Sequence, residues 1–321
     1  MLDWDQINTY SLRDRPSKVS SADFCRPVSG REDISTFIDS LPNILGGREL
    51  REVIAAACRA HRGGRKIIFA MGAHVIKVGL APAIIALLEK GIVQGIALNG
   101  AGIIHDFEIA YAGKTSEDVA AVLGSGDFGM ARETGAMLNE AILAGDRDGL
   151  GLGEAVGRYF HRQRLPHREQ SLVAACHRCQ VPLTVHVALG TDIIHMHPAC
   201  DGAAVGRTSM RDFRRFCEQV AGLAGGVYFN IGSAVILPEV FLKAFSLVHN
   251  LGHRVDQLTT VAIDFIRQYR VQENVVRRPT MDSGSRGYYL TGQHEILLPL
   301  IIAGILARLD AGPAARDKEC S

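Results

Sequence analysis

The sequence predicts an α/β fold in which a parallel sheet is flanked by helices. Two observations carry this. Residues 66–106 alternate strand-like and helical signals, and short apolar runs then alternate with helical periodicity along most of the remaining chain. In the first stretch, Lys66 to Ala70 is an apolar run of strand length, Met71 to His74 is a glycine-containing turn, and Val75 to Lys90 is apolar at helical spacing. Ile92 to Leu98 is a second strand, ending in Asn99-Gly100-Ala101-Gly102. Strand, crossover helix and strand make a βαβ unit, and parallel sheets bind ligands beyond the carboxyl ends of their strands. Both small-residue turns therefore fall on one rim, where the chemistry is expected.

The other elements follow in order. Residues 1–34 are polar and form an arm with little regular structure. Ile34 to Leu41 is a helix started by Asp33 or Ser35, and Arg48 to His61 is an amphipathic, alanine-rich helix ending at Gly63-Gly64. Beyond the central unit, helices are expected at Ser116 to Leu123, Met130 to Ala144, Gly149 to Arg164 and Ser171 to Cys179. The glycine-rich segment Gly124 to Gly129 joins the first two of these. A strand at Pro182 to Ala188 precedes a helix at Phe213 to Ala224, a strand at Val227 to Ile231 and a helix at Pro238 to Leu251 with proline in its first turn. Leu258 to Phe265 is the last expected strand, Tyr269 to Thr280 an arginine-bearing loop, Ile296 to Leu309 the last helix, and residues 311–321 a polar tail. One domain over residues 35–310 accommodates all of this without a linker.

Composition narrows the function classes. A formal charge of +1 on 321 residues gives no electrostatic reason to expect nucleic acid or a membrane as partner. No apolar stretch is both long and uncharged enough to span a bilayer, and the first residues carry charges where a signal peptide needs an apolar stretch. Seven cysteines, an odd number, argue against a disulfide framework. A cytoplasmic protein acting on a small molecule is the expectation.

Neither GxGxxG nor GxxxxGK[ST] stands at a strand-to-helix junction. The stretches MGAHVIKVGL and NGAGIIHDFEIAYAGKT nonetheless resemble the deoxyhypusine synthase family, and QVPLTVHVALGTDII, YFNIGSAVILPEV, VVRRPT and HEILLPLIIAGIL follow in that family's order and approximate spacing. The resemblance covers about Leu50 to Leu306. It implies a Rossmann-like NAD-binding fold, assembled as a homotetramer, a dimer of dimers with sites shared across an interface. It also implies an N-terminal arm near a neighbouring subunit's site, and the oxidation of spermidine with passage of an aminobutyl group through an enzyme lysine.

On that resemblance, Gly72, Ala73, His74 and Lys77 form the first cofactor turn, with His74 and Lys77 standing where the family has Asn and Ser. Asn99, Gly100, Ala101, Gly102 and Asp106 form the second, Gly232 and Ser233 a third, and Asp264 and Glu295 complete the expected NAD contacts. Asp192 matches the aspartate that helps to hold the polyamine. His105 replaces a glutamate, which implies a less cationic substrate, and the family's substrate histidine after the third turn has no counterpart at Leu237 and Pro238.

The chain departs from the family at its centre. In place of the WGK motif stands MDSGSRGYYLTGQHEI, and no lysine lies between Lys243 and Lys318. Arg286 cannot serve, because a guanidinium stays protonated and non-nucleophilic. The expectation is an NAD-dependent transferase or oxidoreductase for a small, amine-type substrate that does not use a lysine imine, with His105, Asp192, His195 and His294 as the catalytic candidates. Lys77 on the rim is expected at a helix N-terminus, where it would contact a phosphate.

Two alternatives remain. His186, Asp192, His195 and His197 would hold a hydrolytic metal if Ile193 to His197 were extended, since alternation puts His195 and His197 on one face. A non-catalytic NAD-binding protein would explain the missing lysine. Glu108 is a further carboxylate near the second turn, the Cys176–Cys179 pair is an isolated CxxC, and Arg277-Arg278 are candidates for an anionic substrate.

Overall fold

A computed structural model describes residues 2–281 and 284–311; the expected polar tail, apart from Ala311, lies outside the described residues. Six parallel strands, β1 (Ile67–Met71), β2 (Gly95–Asn99), β3 (Leu183–His186), β4 (Val227–Ile231), β5 (Thr259–Asp264) and β6 (Arg286–Thr291), form one sheet in the order β3-β2-β1-β4-β5-β6. Every residue of β1 and β4 is buried, as expected of central strands covered on both faces.

Alternation along the strands builds two cores. Ile67, Phe69, Met71, Val227, Phe229 and Ile231 face the larger one. It is covered by α1 (Ile34–Ser40), α2 (Leu45–Arg62), α4 (Ala81–Glu89), α5 (Gly100–Ala112), α7 (Arg132–Arg147), α8 (Leu152–Gln163), α9 (Leu172–Arg178) and α13 (His294–Asp310). Ile68, Ala70, Tyr228 and Ala262 face the smaller one, under α10 (Gly202–Ala221) and α11 (Ile236–Asn250). Tyr228 stacks flat on Phe241 there, with ring centroids 3.8 Å apart.

Several expectations are corrected. The helix expected over Val75 to Lys90 is two pieces, α3 (His74–Lys77) and α4, because Gly79 takes φ +82° between them and proline enters the first turn of α4. Asn99 to Gly102 is no turn: Asn99 caps α5 through its Oδ1, which accepts from the Gly102 N–H at 3.1 Å, so β2 runs straight into a helix. The α10 helix starts at Gly202, well before Phe213, with Asp201 as its cap. Tyr269 to Thr280 is helical rather than a loop, through α12 (Tyr269–Val271), a π-helical stretch Gln272–Arg277 and a short 3-10 turn. The stretch RGYYLT, for which no strand was expected, is β6, an edge strand. The short helix near 116–123 is α6 (Val119–Val122). In the arm, 3-10 turns at Trp4–Gln6, Leu12–Asp14 and Ser21–Asp23 are the only helical elements among the described residues. Among those residues, no helix is long and apolar enough to cross a membrane.

Two buried carboxylates tie the layers together. Asp106, fully buried on α5, accepts from the Leu172 N–H at 2.7 Å, the Val173 N–H at 3.2 Å and the Ser171 hydroxyl, and so fixes the start of α9. Bonds of this kind are worth about 1.5–3 kcal/mol each. Burial still outweighs them, and the carboxyl titrates at about 6. Asp212 on α10 accepts at 2.8 Å from both the Gly153 N–H and the Val185 N–H, clamping α8 to β3. Burial pushes it up to about 7, and its Oδ1 has no partner.

A folded carboxyl whose pKa is raised binds a proton that the unfolded chain releases near pH ~4. Its stabilising contribution is therefore complete below the unfolded value and declines as pH rises through the folded one. Asp212→Asn keeps an oxygen for both N–H groups and cannot ionise. Its Tm, relative to the native protein, should rise steadily between about pH 4 and about pH 7. Parallel Tm curves for the two proteins would show that Asp212 does not titrate in this window.

Candidate functional site

Parallel strands put all six carboxyl ends on one rim, and the strand order reverses between β1 and β4. The crossover after β1 passes over one face through α4 and the crossover after β4 over the other through α11. Their diverging turns leave a crevice, the usual ligand position in open α/β sheets.

The crevice is built from glycine. The Gly72 N–H donates to Ile231 O at 2.9 Å, and a Cβ on Gly72 would stand 2.0 Å from Gly232 O, so no side chain fits between the two turns. Gly232 has φ +62°, a left-handed conformation, and a Cβ there would meet the His294 ring at 3.0 Å. The ring of His294 lies 5.4 Å from that of His74 and 6.2 Å from that of Phe265. Its Nε2 faces the Ile263 carbonyl at 3.2 Å, which makes Nε2 the donor and leaves Nδ1 with a lone pair, buried and without a partner. Ala73 and the exposed His74 follow Gly72, Asp264 ends β5 with Oδ1 accepting from the Phe265 N–H at 2.8 Å, and Glu295 is exposed beside His294. The Ser233 hydroxyl is taken up inside the fold, accepting from the Leu237 N–H at 3.2 Å.

Next to the crevice, a pocket of about 260 Å³ opens over the first turn of α5. Lys77, Ala101, His105, Glu108, Glu117 and Asp192 are among its lining residues. Lys77 is the last residue of α3 rather than at a helix N-terminus, which corrects the expectation. Asp192 lies across Gly100, whose absent Cβ would be 2.0 Å from Oδ2. That oxygen is buried and unpartnered. Burial raises the Asp192 pKa, while His195 and the Ala101 amide oppose the shift.

His105 has a defined tautomer. Its Nδ1 is 2.6 Å from the Thr115 hydroxyl, and that hydroxyl donates its one proton to Glu108. Thr115 must therefore accept from His105, so Nδ1 carries the proton and Nε2 keeps its lone pair. The other oxygen of Glu108 accepts from the Thr134 hydroxyl at 3.2 Å. Burial, more than any charge, lowers the His105 pKa; Glu108 works against it and Lys77 with it. The imidazole is thus neutral near pH 7, with Nε2 ready to take a proton.

The remaining expected residues fall elsewhere. Asp106 is committed to the start of α9 and has no exposed surface, so it is corrected from a cofactor contact to an internal anchor. Asn99 and Gly102 serve the cap of α5. His195 does not line the pocket: Ile193–His195 is a 3-10 turn, not an extended segment, and its Nδ1 accepts from the N–H groups of Gly190 and Asp192, both at 3.2 Å. His186 is buried against Phe216 with Nε2 at 3.1 Å from Thr184, and burial drops its pKa to about 3. His197 Nδ1 accepts from the Ala199 N–H at 3.1 Å. The histidine cluster therefore does not converge, and no group of three or more His, Cys, Asp or Glu suited to a metal occurs among the described residues. Cys176 is buried, with its thiol pushed well up, and Arg277 and Arg278 pair with Glu273.

Sequence reasoning missed Thr115, Thr134 and Glu117 as parts of the site. Glu117 reaches the Gly129 N–H at 3.1 Å and closes the loop that walls the pocket. Only the small-residue loop containing Gly124, Gly126 and Gly129 hinted at it.

No protein-family model matches the sequence, and no curated protein matches it. Solved structures do. AgrE, in its ternary complex with ornithine and NAD+, aligns at a TM-score of 0.53 and 13% identity over 86% of this chain and 35% of its own, so the chain spans about a third of AgrE's length. A conserved putative LOR/SDH protein from Methanococcus maripaludis S2 aligns at 0.50 and 16% identity over 88% of this chain and 72% of its own. A putative deoxyhypusine synthase from Entamoeba histolytica aligns at 0.49 and 12% identity over 90% and 97%, a score too low to carry an argument. At these identities the likeness is one of fold, and the chain has a six-stranded parallel α/β sheet flanked by helices, of the kind found in AgrE and the LOR/SDH protein.

Proposed function

We propose that the chain is an NAD-dependent enzyme that oxidises a small amine, with the dinucleotide in the crevice between β1 and β4 and the amine in the adjoining pocket. The observation that carries this reading is the glycine-only approach of the two turns at the strand-order reversal. A β3-β2-β1-β4-β5-β6 order with a side-chain-free cradle at its switch point suits a pyrophosphate lying close to the backbone. The exposed His74 and Phe265 rings beside it offer flat faces for a ring system, with the buried His294 ring packed near both. Bound NAD would supply a hydride acceptor.

The pocket supports an amine. Glu108, Glu117 and Asp192 set three carboxylates against the single Lys77, so negative charge is present although His105 has replaced a glutamate. That balance favours a cationic substrate over the less cationic one expected from the replacement. Asp192 would hold the ammonium group through its free Oδ2. His105 Nε2 would take the proton that leaves the substrate nitrogen as its carbon loses hydride. Glu108 acts through Thr115, holding the tautomer in which Nε2 is the base. No lysine imine is needed, consistent with the missing WGK motif. The exposed Leu2, Trp4, Ile7 and Tyr10 of the arm support assembly into a homo-oligomer, as the resemblance implies.

Binding, turnover and mass measurements test this reading. Calorimetry should show saturable NAD binding by the native chain and none by Ala73→Trp, which fills the crevice from its rim; no binding at millimolar NAD would refute the cofactor site. In a screen of small amines followed by NADH absorbance, His105→Ala should lower turnover by about 10²–10⁴-fold. Glu108→Gln, which leaves the ring but weakens its orientation, should lose less. Native activity should fall on the acid side as His105 protonates, at a pH below the ordinary imidazole value. A His105→Ala variant with normal turnover would remove the base from the scheme. Light scattering should give a mass above that of one chain, and a monomer at micromolar concentration would exclude the oligomer.

A further inference from the structure

A second pocket, of about 550 Å³, lies at the other end of the sheet, on the outer side of the edge strand β6. Its walls come from the end of α1, one face of α2, the start of β6, the end of α13 and residues 22–26 of the arm. On α2 the spacing is regular: Arg51, Ala55 and Arg59 recur every four residues and so share a face. Arg286 and Tyr288, two apart on β6, point to one side of the strand. The arm is pinned against this side by Arg26 N–H to Ser40 O at 2.9 Å and Asn43 N–H to Asp23 O at 2.8 Å.

The charge is unbalanced. Among the described residues, Arg26, Arg51, Arg59, Arg286 and Arg308 line the pocket against Asp39 and Glu52, a surplus of three positive charges in a chain whose formal net charge is +1. Among the described residues, Arg308 alone of these five pairs with a carboxylate, that of Asp39. Arg26 donates to the backbone oxygen of Asp39 at 2.9 Å. Arg51 is spent on neutral oxygens, those of Ile38, Leu41, Pro42 and the Asn43 side chain, where it closes the end of α1. Burial raises the Tyr288 pKa, with Glu52 adding to the shift and Arg286 opposing it. Arg59 and Arg286 are exposed and pair with no carboxylate among the described residues.

Like charges crowded into one concavity repel unless an anion joins them. Arginine forks match phosphate oxygens two at a time. We propose that this pocket binds a small polyphosphate anion, at a site separate from the carboxyl rim and its crevice. Arg59 and Arg286 are its primary contacts, and Arg26 closes it from the arm. A surplus of three charges suits a ligand with three or more negative charges, and the volume suits a molecule of nucleotide size. Phosphate chains of inorganic and nucleotide origin share this chemistry.

The experiment is thermal denaturation of the full chain at low ionic strength with inorganic tripolyphosphate and no NAD. The native Tm should rise saturably with ligand, and the rise should shrink as salt screens the site. Arg59→Ser combined with Arg286→Ser removes two exposed side chains that pair with no carboxylate among the described residues, and should weaken the apparent affinity at least about tenfold, the loss of about 1.4 kcal/mol of binding. Should the pair fail to fold, Arg59→Glu alone, on an exposed helix face, reads the same loss. No shift of the native Tm at millimolar tripolyphosphate would overturn the site. An equal shift in the variants would also overturn it, by placing the anion elsewhere. A short DNA duplex that binds through the same arginines while tripolyphosphate does not would replace a small-molecule pocket with a nucleic-acid contact.

Discussion

The close passage of Gly72 against Gly232 is the constraint on which the rest of the rim depends. A parallel sheet whose order reverses between β1 and β4 sends two turns apart over opposite faces, but their first residues still lie side by side. With 2.0 Å between a hypothetical Cβ and a carbonyl oxygen, backbone alone occupies that place. From it follow the position of α3, the left-handed Gly232 and the seat of His294 above it. The pocket inherits the same arrangement one strand away. There β2 passes directly into α5, and Gly100 leaves room for the Asp192 carboxylate where a side chain would have stood.

The polar groups around that pocket form a chain of defined direction. Thr134 and Thr115 donate to Glu108, and His105 donates to Thr115, so one carboxylate fixes two hydroxyls and an imidazole at once. Asp192 is the opposite case: its Oδ2 is buried without a partner and its pKa is raised. A satisfied carboxylate orients and an unsatisfied one is available to a ligand. Two acids that line one pocket thus differ in their hydrogen bonding, one satisfied and one not.

Much of the sheet was legible in the sequence because its central strands are continuous apolar runs, a pattern that only double-sided burial explains. The edge strand β6 was not, since Arg286-Gly287-Tyr288-Tyr289 mixes charge, glycine and aromatics as an exposed edge permits. The start of α5 was misread for a related reason. Glycine at 100 and 102 lowers helix propensity, but the Asn99 cap and the packing of Ile103, Ile104 and Phe107 override it. At the site, Lys77, His105 and Asp192 could be picked out from the motifs that carry the resemblance, and the structure brings them to one pocket. Thr115, Thr134 and Glu117 could not be, because a threonine gains its role only from the carboxylate that tertiary structure puts beside it. The histidines at 195 and 197 misled through an assumed extended conformation. A 3-10 turn removes the alternation, and the Nδ1 of each ring then accepts from nearby backbone N–H groups, with the His195 Nε2 buried and unpartnered.

The loop between α5 and α7 closes the pocket by two fastenings, Glu108 to Thr115 and Thr134, and Glu117 to the Gly129 N–H. Both are carboxylates that also give the pocket its negative charge. Electrostatics and shape are therefore one variable here. Neutralising either acid would weaken the field on a guest and unfasten the wall around it in the same step. A change in the charge of this pocket is therefore also a change in the loop that walls it.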